Sequence, residues 1–329
     1  MRRLALFALA AALTPLVGPR AGPEGPKLAF PLACQIGRTC EVQNYVDRDP
    51  GPGVLDYHCG HRTYQGHSGV DIRLLDMAQQ RAGVAVLAAA AGRVARLRDG
   101  VQDISIRAPG APSVAGQECG NGVVVDHGDG WETQYCHLAR GSVSVKVGDA
   151  VAVGQPIARV GLSGDTEFPH LHLTVRHSGQ TVDPFAPAPM ATAACAAQPP
   201  LWTADAGRQL AYKRGALLNA GFATAVSSMD AVEGRTIAEP TPAAPAIVAY
   251  VRAIGLEAGD VVELTLRGPD GKVLATVSQP GLDHDKAQWL SQVGRKAPTG
   301  GWPQGTYSAE AQVHRAGAVA LARRWQMAL

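Results

Sequence analysis

The stretch FPHLHLTVRH, residues 168–177, decides how the rest of the chain is read. Leu171, Leu173 and Val175 alternate with His170, His172 and Thr174. Alternation with period two marks a strand with one buried face. Residues i and i+2 of a strand share a face, so the leucines and the valine turn inward together. His170 and His172 then project from the opposite face, about 6–7 Å apart at two strand rises. That is close enough for both imidazoles to reach one bound atom. Two solvated surface histidines would give the same local pattern, so the choice falls to the rest of the chain.

The neighbouring sequence is also built for strands. The chain of 329 residues has 38 Gly and 23 Pro but only 5% aromatic residues, which favours turns and short strands over long helices. HGDG at 127–130, between two apolar runs, is a hairpin signal. Beyond it, parity puts Thr133, Tyr135 and His137 on one face. VKVGDAVAVGQPIARVG at 145–161 continues the pattern with valine alternation and glycine turns. Residues 99–120 read as a long surface loop.

Length suggests about two domains. PAPMATAACAAQPP at 187–200 has the composition of a linker. After it, AIVAYVRAI, DVVELTLRGPDGKVLATVS and the C-terminal run from 305 read as strands of a small β-sandwich. The expected division is a signal segment over 1–22, a first domain over 27–190, a linker with room for short helices over 191–235, and a second domain over 236–329.

The N-terminus opens with Arg2 and Arg3, followed by a mostly apolar run to Val17 that is too short to span a bilayer well. This is the pattern of a secretory signal peptide. Export to the periplasm or the extracellular space is expected, with no stable membrane insertion once the signal is removed. The six cysteines, Cys34, Cys40, Cys59, Cys119, Cys136 and Cys195, all precede residue 200, and an even count in an exported chain suggests disulfides in the first domain. Cys34 and Cys40 could close a small loop, and Cys119 and Cys136 could face each other across the hairpin. No C-x-x-C pair supports a zinc-thiolate site. The formal net charge is only +2 and no basic stripe is present, so nucleic acid is not an expected partner.

A second histidine segment, GHSGVD, places His67 four residues before Asp71. That spacing brings both side chains to one side of a strand or a helical turn. Two neutral imidazoles and one carboxylate are a plausible donor set for catalytic zinc, which keeps one position for water. Such a metal lowers the pKa of bound water and polarises a carbonyl.

GHSGVD, YCHL and PHLHLTVR, in that order, resemble the lysostaphin-type (LytM-like) zinc metallopeptidases of family M23. The family pattern is H-x-x-x-D, then a histidine after a strand tyrosine, then H-x-H. The likeness covers about residues 50–185. For that part of the chain it implies an antiparallel catalytic domain of the M23, barrel-sandwich-hybrid-like kind, so that with the smaller β-sandwich-like domain read after the linker the fold class is mostly β. It also implies Zn2+ held by His67, Asp71 and His172, with His137 and His170 as the non-ligand catalytic histidines. The implied activity is zinc-dependent endopeptidase hydrolysis, by metal-activated water, of bonds in peptidoglycan stems or cross-bridges. One alternative is a non-catalytic wall-binding or regulatory protein on the same fold, which loss of a ligand would have favoured; none is lost. The 145–161 stretch also resembles lipoyl and biotinyl carriers, but the modifiable lysine expected at a hairpin tip is missing. The 99–120 loop and the 34–60 segment could wall the groove, and Cys136 could rigidify His137 if bridged. His127, His58, His61 and His177 read as structural or solvated.

Overall fold

The computed structural model describes residues 25–188, 195 and 198–329. The segment read as a signal peptide lies outside these residues, as does part of the stretch read as a linker. Among the described residues no helix is long and apolar enough to cross a membrane.

The first domain is mostly antiparallel sheet. Its strands are β1 (Cys40–Asn44), β2 (Val70–Leu74), β3 (Ala85–Leu87), β4 (Gly92–Arg98), β5 (Asn121–Gly128), β6 (Trp131–Leu138), β7 (Ala150–Val151), β8 (Pro156–Arg159), β9 (His170–His177) and β10 (Gln180–Val182), with helix α1 (Met77–Ala82) after β2. The main sheet runs β1-β2-β9-β6-β5-β4-β7, with β10 also paired to β9, and β3 and β8 form a separate two-stranded sheet. The alternation read in 170–175 is present: Leu171, Leu173 and Val175 are almost fully buried. They join Val70, Ile72 and Leu74 of β2 and Val123 and Val125 of β5 in one core. Each such side chain contributes roughly 1.5–3 kcal/mol on burial. A one-residue slip would send this whole set to the other face, so the register is strongly specified.

The HGDG turn is a two-residue hairpin loop, with Asp129 and Gly130 both at positive φ (50° and 80°). Positive φ at both central residues is the type I′ turn, whose twist matches the flanking strands. Three disulfides staple this domain: Cys34–Cys40, Cys59–Cys195 and Cys119–Cys136. The first and third are the pairs that sequence proximity suggested.

The stretch 191–235 contains helix α2 (Ala204–Gln209), strand β11 (Ala216–Ala223) and helix α3 (Met229–Gly234). β11 pairs with β12 (Ala246–Leu256), so it is part of the second domain's sheet. The remaining strands are β13 (Val261–Arg267), β14 (Val273–Ser278), β15 (Lys286–Lys296), β16 (Thr306–Arg315) and β17 (Ala318–Ala328). They form a three-stranded sheet, β11-β12-β15, and a four-stranded sheet, β14-β13-β16-β17. Ile247, Ala249 and Val251 of one meet Leu264, Leu266, Ala309 and Ala311 of the other. That is a small β-sandwich.

Buried charge joins the two domains. Glu233 on α3 pairs with Arg73 of β2 at 2.6 Å and with Arg252 of β12, and both arginine side chains are fully buried. Arg73 also donates to Gln288 at 3.0 Å, and Gln43 donates to the Ala287 carbonyl at 2.9 Å.

Candidate metal centre

Three adjacent strands carry the centre. Asp71 on β2 sits opposite His172 on β9, which sits opposite Cys136 on β6. Opposed residues of an antiparallel pair lie about 4.5–5.5 Å apart and point to the same side. His67 arrives from the loop before β2. One ligand atom from each of His67, Asp71 and His172 lies within 4.8 Å of the others.

The rings are oriented by outer hydrogen bonds, which also assign their protons. His67 Nδ1 donates to the Tyr45 carbonyl at 2.6 Å, leaving Nε2 as a lone pair directed inward. His172 Nε2 meets the Thr174 hydroxyl at 3.0 Å, leaving Nδ1 inward. Asp71 Oδ2 accepts from Asn44 at 2.8 Å, which frees Oδ1 for the centre. His67 Nε2 and His172 Nδ1 are 3.1 Å apart, and they lie 3.2 and 2.9 Å from Asp71 Oδ1. Three acceptors facing one another at this range repel unless a proton or a cation lies between them. Tetrahedral zinc ligands at about 2.1 Å from the ion would sit about 3.4 Å from each other, close to this spacing. The donor set and its outer partners fit a divalent cation of the zinc type.

Gly69 makes room for this arrangement. A Cβ there would lie 2.5 Å from His172 Nε2 and 2.7 Å from the Leu173 carbonyl. The second glycine of GHSGVD is therefore demanded by close approach to His172.

Two further imidazoles complete the cluster. His137 Nδ1 donates to the Ser163 carbonyl at 2.8 Å, and its ring centroid is 4.5 Å from that of His170. His170 Nδ1 donates to the Phe168 carbonyl at 2.9 Å, and its Nε2 lies 3.5 Å from Asp71 Oδ1. Strand parity had placed His137 with Tyr135. The structure instead sends Tyr135 into the core, where its hydroxyl accepts from the Ala89 N–H, and turns His137 toward the histidine cluster. The reason is a left-handed backbone at His137, φ 61°, which breaks the alternation. The His137 N–H donates to the Cys119 carbonyl at 2.8 Å, and Cys119 is bridged to the adjacent Cys136, so this unusual conformation is pinned.

Charge is tuned by the same contacts. Burial pulls the His67 pKa down, but the Asp71 carboxylate outweighs it and raises the value above the ordinary imidazole range. Burial would raise the Asp71 pKa, yet the surrounding imidazoles hold it well below the usual carboxylate range. Burial, then the neighbouring His170 and His172, push His137 well below 6.5. His172 is lowered chiefly by burial.

A groove passes over this centre. On one side it is lined by Glu118, Gln134 and Arg176; on the other by Arg107, Phe168 and residues of the second domain. The 99–120 loop thus contributes to both walls. Tyr64, half exposed, lies on the lip with its ring 4.4 Å from that of His67. His127 is buried between the Ala91 carbonyl and the Thr133 hydroxyl, a structural role, and His177 stacks on Trp131. Sequence reasoning did not single out Asn44, Thr174 or the carbonyls of Tyr45, Ser163 and Phe168. Thr174 lies within PHLHLTVR but alternation alone gave it no role, Asn44 lies in no motif, and backbone acceptors carry no residue signal.

Residues 65–184 match the model of Peptidase family M23. The match covers under half of the chain and marks what this segment is similar to. A 68-residue stretch is 38% identical to the cell division protein DipM of Caulobacter vibrioides, covering 21% of this chain and 11% of that protein. A 62-residue stretch is 45% identical to the murein hydrolase activator EnvC of Escherichia coli, covering 19% of this chain and 14% of EnvC. The chain therefore spans far less than two thirds of either relative. Among solved structures, the catalytic domain of the prophage-encoded M23 protein EnpA from Enterococcus faecalis is 21% identical, covering 46% of this chain and 93% of that one with a TM-score of 0.32. The catalytic domain of lysostaphin from Staphylococcus simulans is 23% identical, covering 43% and 85% with a TM-score of 0.28.

Proposed function

We propose that this protein is an exported zinc endopeptidase that hydrolyses peptide bonds of bacterial peptidoglycan. The observation that carries this reading is the convergence of His67 Nε2, Asp71 Oδ1 and His172 Nδ1, each backed by an outer hydrogen bond, beside two further imidazoles. His67, Asp71 and His172 would hold the ion. Bound there, zinc supplies Lewis acidity toward a carbonyl and toward water. His137 keeps its proton on Nδ1, against Ser163, and its lowered pKa leaves Nε2 free to accept a proton from the attacking water. His170, its ring held by Phe168 and Thr166, would help to orient the water or the polarised carbonyl from the other side. The proton taken by His137 then goes to the departing amine.

The three disulfides support a compartment outside the reducing cytoplasm. The family match over residues 65–184 and the two relatives, one a cell division protein and one a murein hydrolase activator, support a role at the cell wall. The activator relative favours a second reading, in which the same groove binds peptidoglycan and regulates another hydrolase.

One experiment separates the two. Purified mature protein is incubated with isolated peptidoglycan, with and without chelator, and new amino groups are counted. The peptidase reading expects amine release that chelation stops, zinc restores and His172→Ala abolishes together with stoichiometric zinc. Binding without amine release, by protein that holds zinc, would establish the regulator instead.

A further inference from the structure

The side of the groove beyond His170 is not built by the M23 segment alone. It has a volume of about 540 Å³, and its far wall is the loop and first residues of β15, His284 to Gln288. A second cavity of about 610 Å³, at the junction of the two domains, shares Gln43, Asn44, Thr63, Asp285, Lys286 and Ala287 with it. The side of the groove toward Arg176 shares Tyr64, His137 and Asp165 with the first cavity. One continuous cleft thus runs from Arg176, over the histidine cluster, into the domain junction.

We propose that the second domain is a fixed wall of the substrate cleft, and that this wall holds an extended peptide segment of the polymer away from the scissile bond. The inference rests on the peptidase reading for the position of that bond. Three observations carry it. The wall is rigid, because the buried Glu233–Arg73–Arg252 cluster and the Gln43–Ala287 hydrogen bond lock β15 to β1 and β2. The lining suits a peptide main chain, since Asn44 keeps its carboxamide oxygen and Gln288 its carboxamide nitrogen beyond their bonds to Asp71 and Arg73, and the charged side chains there are of both signs, Arg107 paired with Glu167 and Lys286 with Asp283. Finally, β1 and β15 are edge strands of their sheets, and apart from the Ala287 carbonyl taken by Gln43 their outer edges carry no strand partner among the described residues; such edges are where extended peptides add.

The test is Ala287→Trp in the full-length protein. Ala287 is exposed in the cleft, and its side chain is none of those that form the histidine cluster. The probe is a soluble cross-linked stem peptide prepared from peptidoglycan. Its binding is measured by titration calorimetry on chelator-treated protein, and its cleavage on zinc-loaded protein. We expect Ala287→Trp to weaken binding and raise KM about ten-fold, the scale of one well-buried contact, with zinc content and circular dichroism unchanged. If that variant does not fold, Lys286→Ala carries the test, with a loss in the same direction. Cleavage and binding equal to wild type in the folded variant would overturn the proposal and leave the peptidase reading standing. Weakened binding in a protein that never cleaves would keep the cleft and remove the peptidase. Failure of the wild type both to bind and to cleave would remove both.

Discussion

Gly69 shows how closely the candidate centre is packed at the level of single residues. A methyl group there would collide with the His172 ring and with a strand carbonyl, neither of which can retreat without disturbing β9. Gly69→Ala is therefore expected to lower zinc affinity by at least ten-fold while leaving the fold intact, as read by competition with a metal indicator; unchanged affinity would mean that His172 is not held as described. Asn44 acts from further out. It fixes the orientation of Asp71 through a 2.8 Å hydrogen bond, and loss of an outer partner of this kind typically costs 10–100-fold in metal affinity or activity. The same loss is expected for Asn44→Ala in the indicator assay. At this scale the sequence was legible in part. Spacing and family likeness singled out His67, Asp71 and His172, the likeness added His137 and His170, and the structure brings these five side chains together. Asn44 was not found, because a lone asparagine 27 residues before Asp71 carries no pattern until β1 pairs with β2.

At the scale of elements, the β5–β6 hairpin and β9 do most of the positioning. Parity along β9 was readable: Leu171, Leu173 and Val175 lie in the core and His170 and His172 turn to the other face toward Asp71, although burial extends to both faces. Parity along β6 failed at its last turn, where the left-handed His137 leaves the alternation. The Cys119–Cys136 bridge closes a loop of sequence separation 17 over this turn. Loops of that length contribute about 3 kcal/mol of stability in the chain-entropy model. The double variant Cys119→Ser, Cys136→Ser should lose about that much in urea denaturation. If the bridge also pins His137, amide exchange at His137 should rise in the variant by more than the global loss explains. Exchange that tracks global stability alone would show that the hairpin holds His137 without help from the disulfide.

For the whole molecule, the joint between the domains is unusually charged. Arg73 and Arg252 are fully buried and share the Glu233 carboxylate, and burial pulls the Arg73 pKa down to about 10 even with that partner. Removing one member of a buried pair strands the other, at a cost of about 3–5 kcal/mol. Glu233→Ala should show that loss in thermal or chemical denaturation. Arg73 also lies 4.1 Å over the Phe168 ring, and the Phe168 carbonyl holds His170, so the joint connects directly to the histidine cluster. A loss well under 1 kcal/mol would mean that the two domains are merely tethered.

By itself, the sequence determined the strand periodicity, the hairpin at HGDG, the order of the histidine motifs and the six cysteines that precede residue 200. These are encoded over a few residues, where i, i+2 alternation and turn chemistry act without knowledge of the rest of the chain. Only the tertiary structure decided which way His137 faces, that Asn44 steadies Asp71, and that β11 belongs to the second domain. The docking of that domain against the cleft was also a tertiary matter. Each of these depends on contacts between segments distant in sequence or on a backbone turn forced by packing, and neither leaves a local pattern to read.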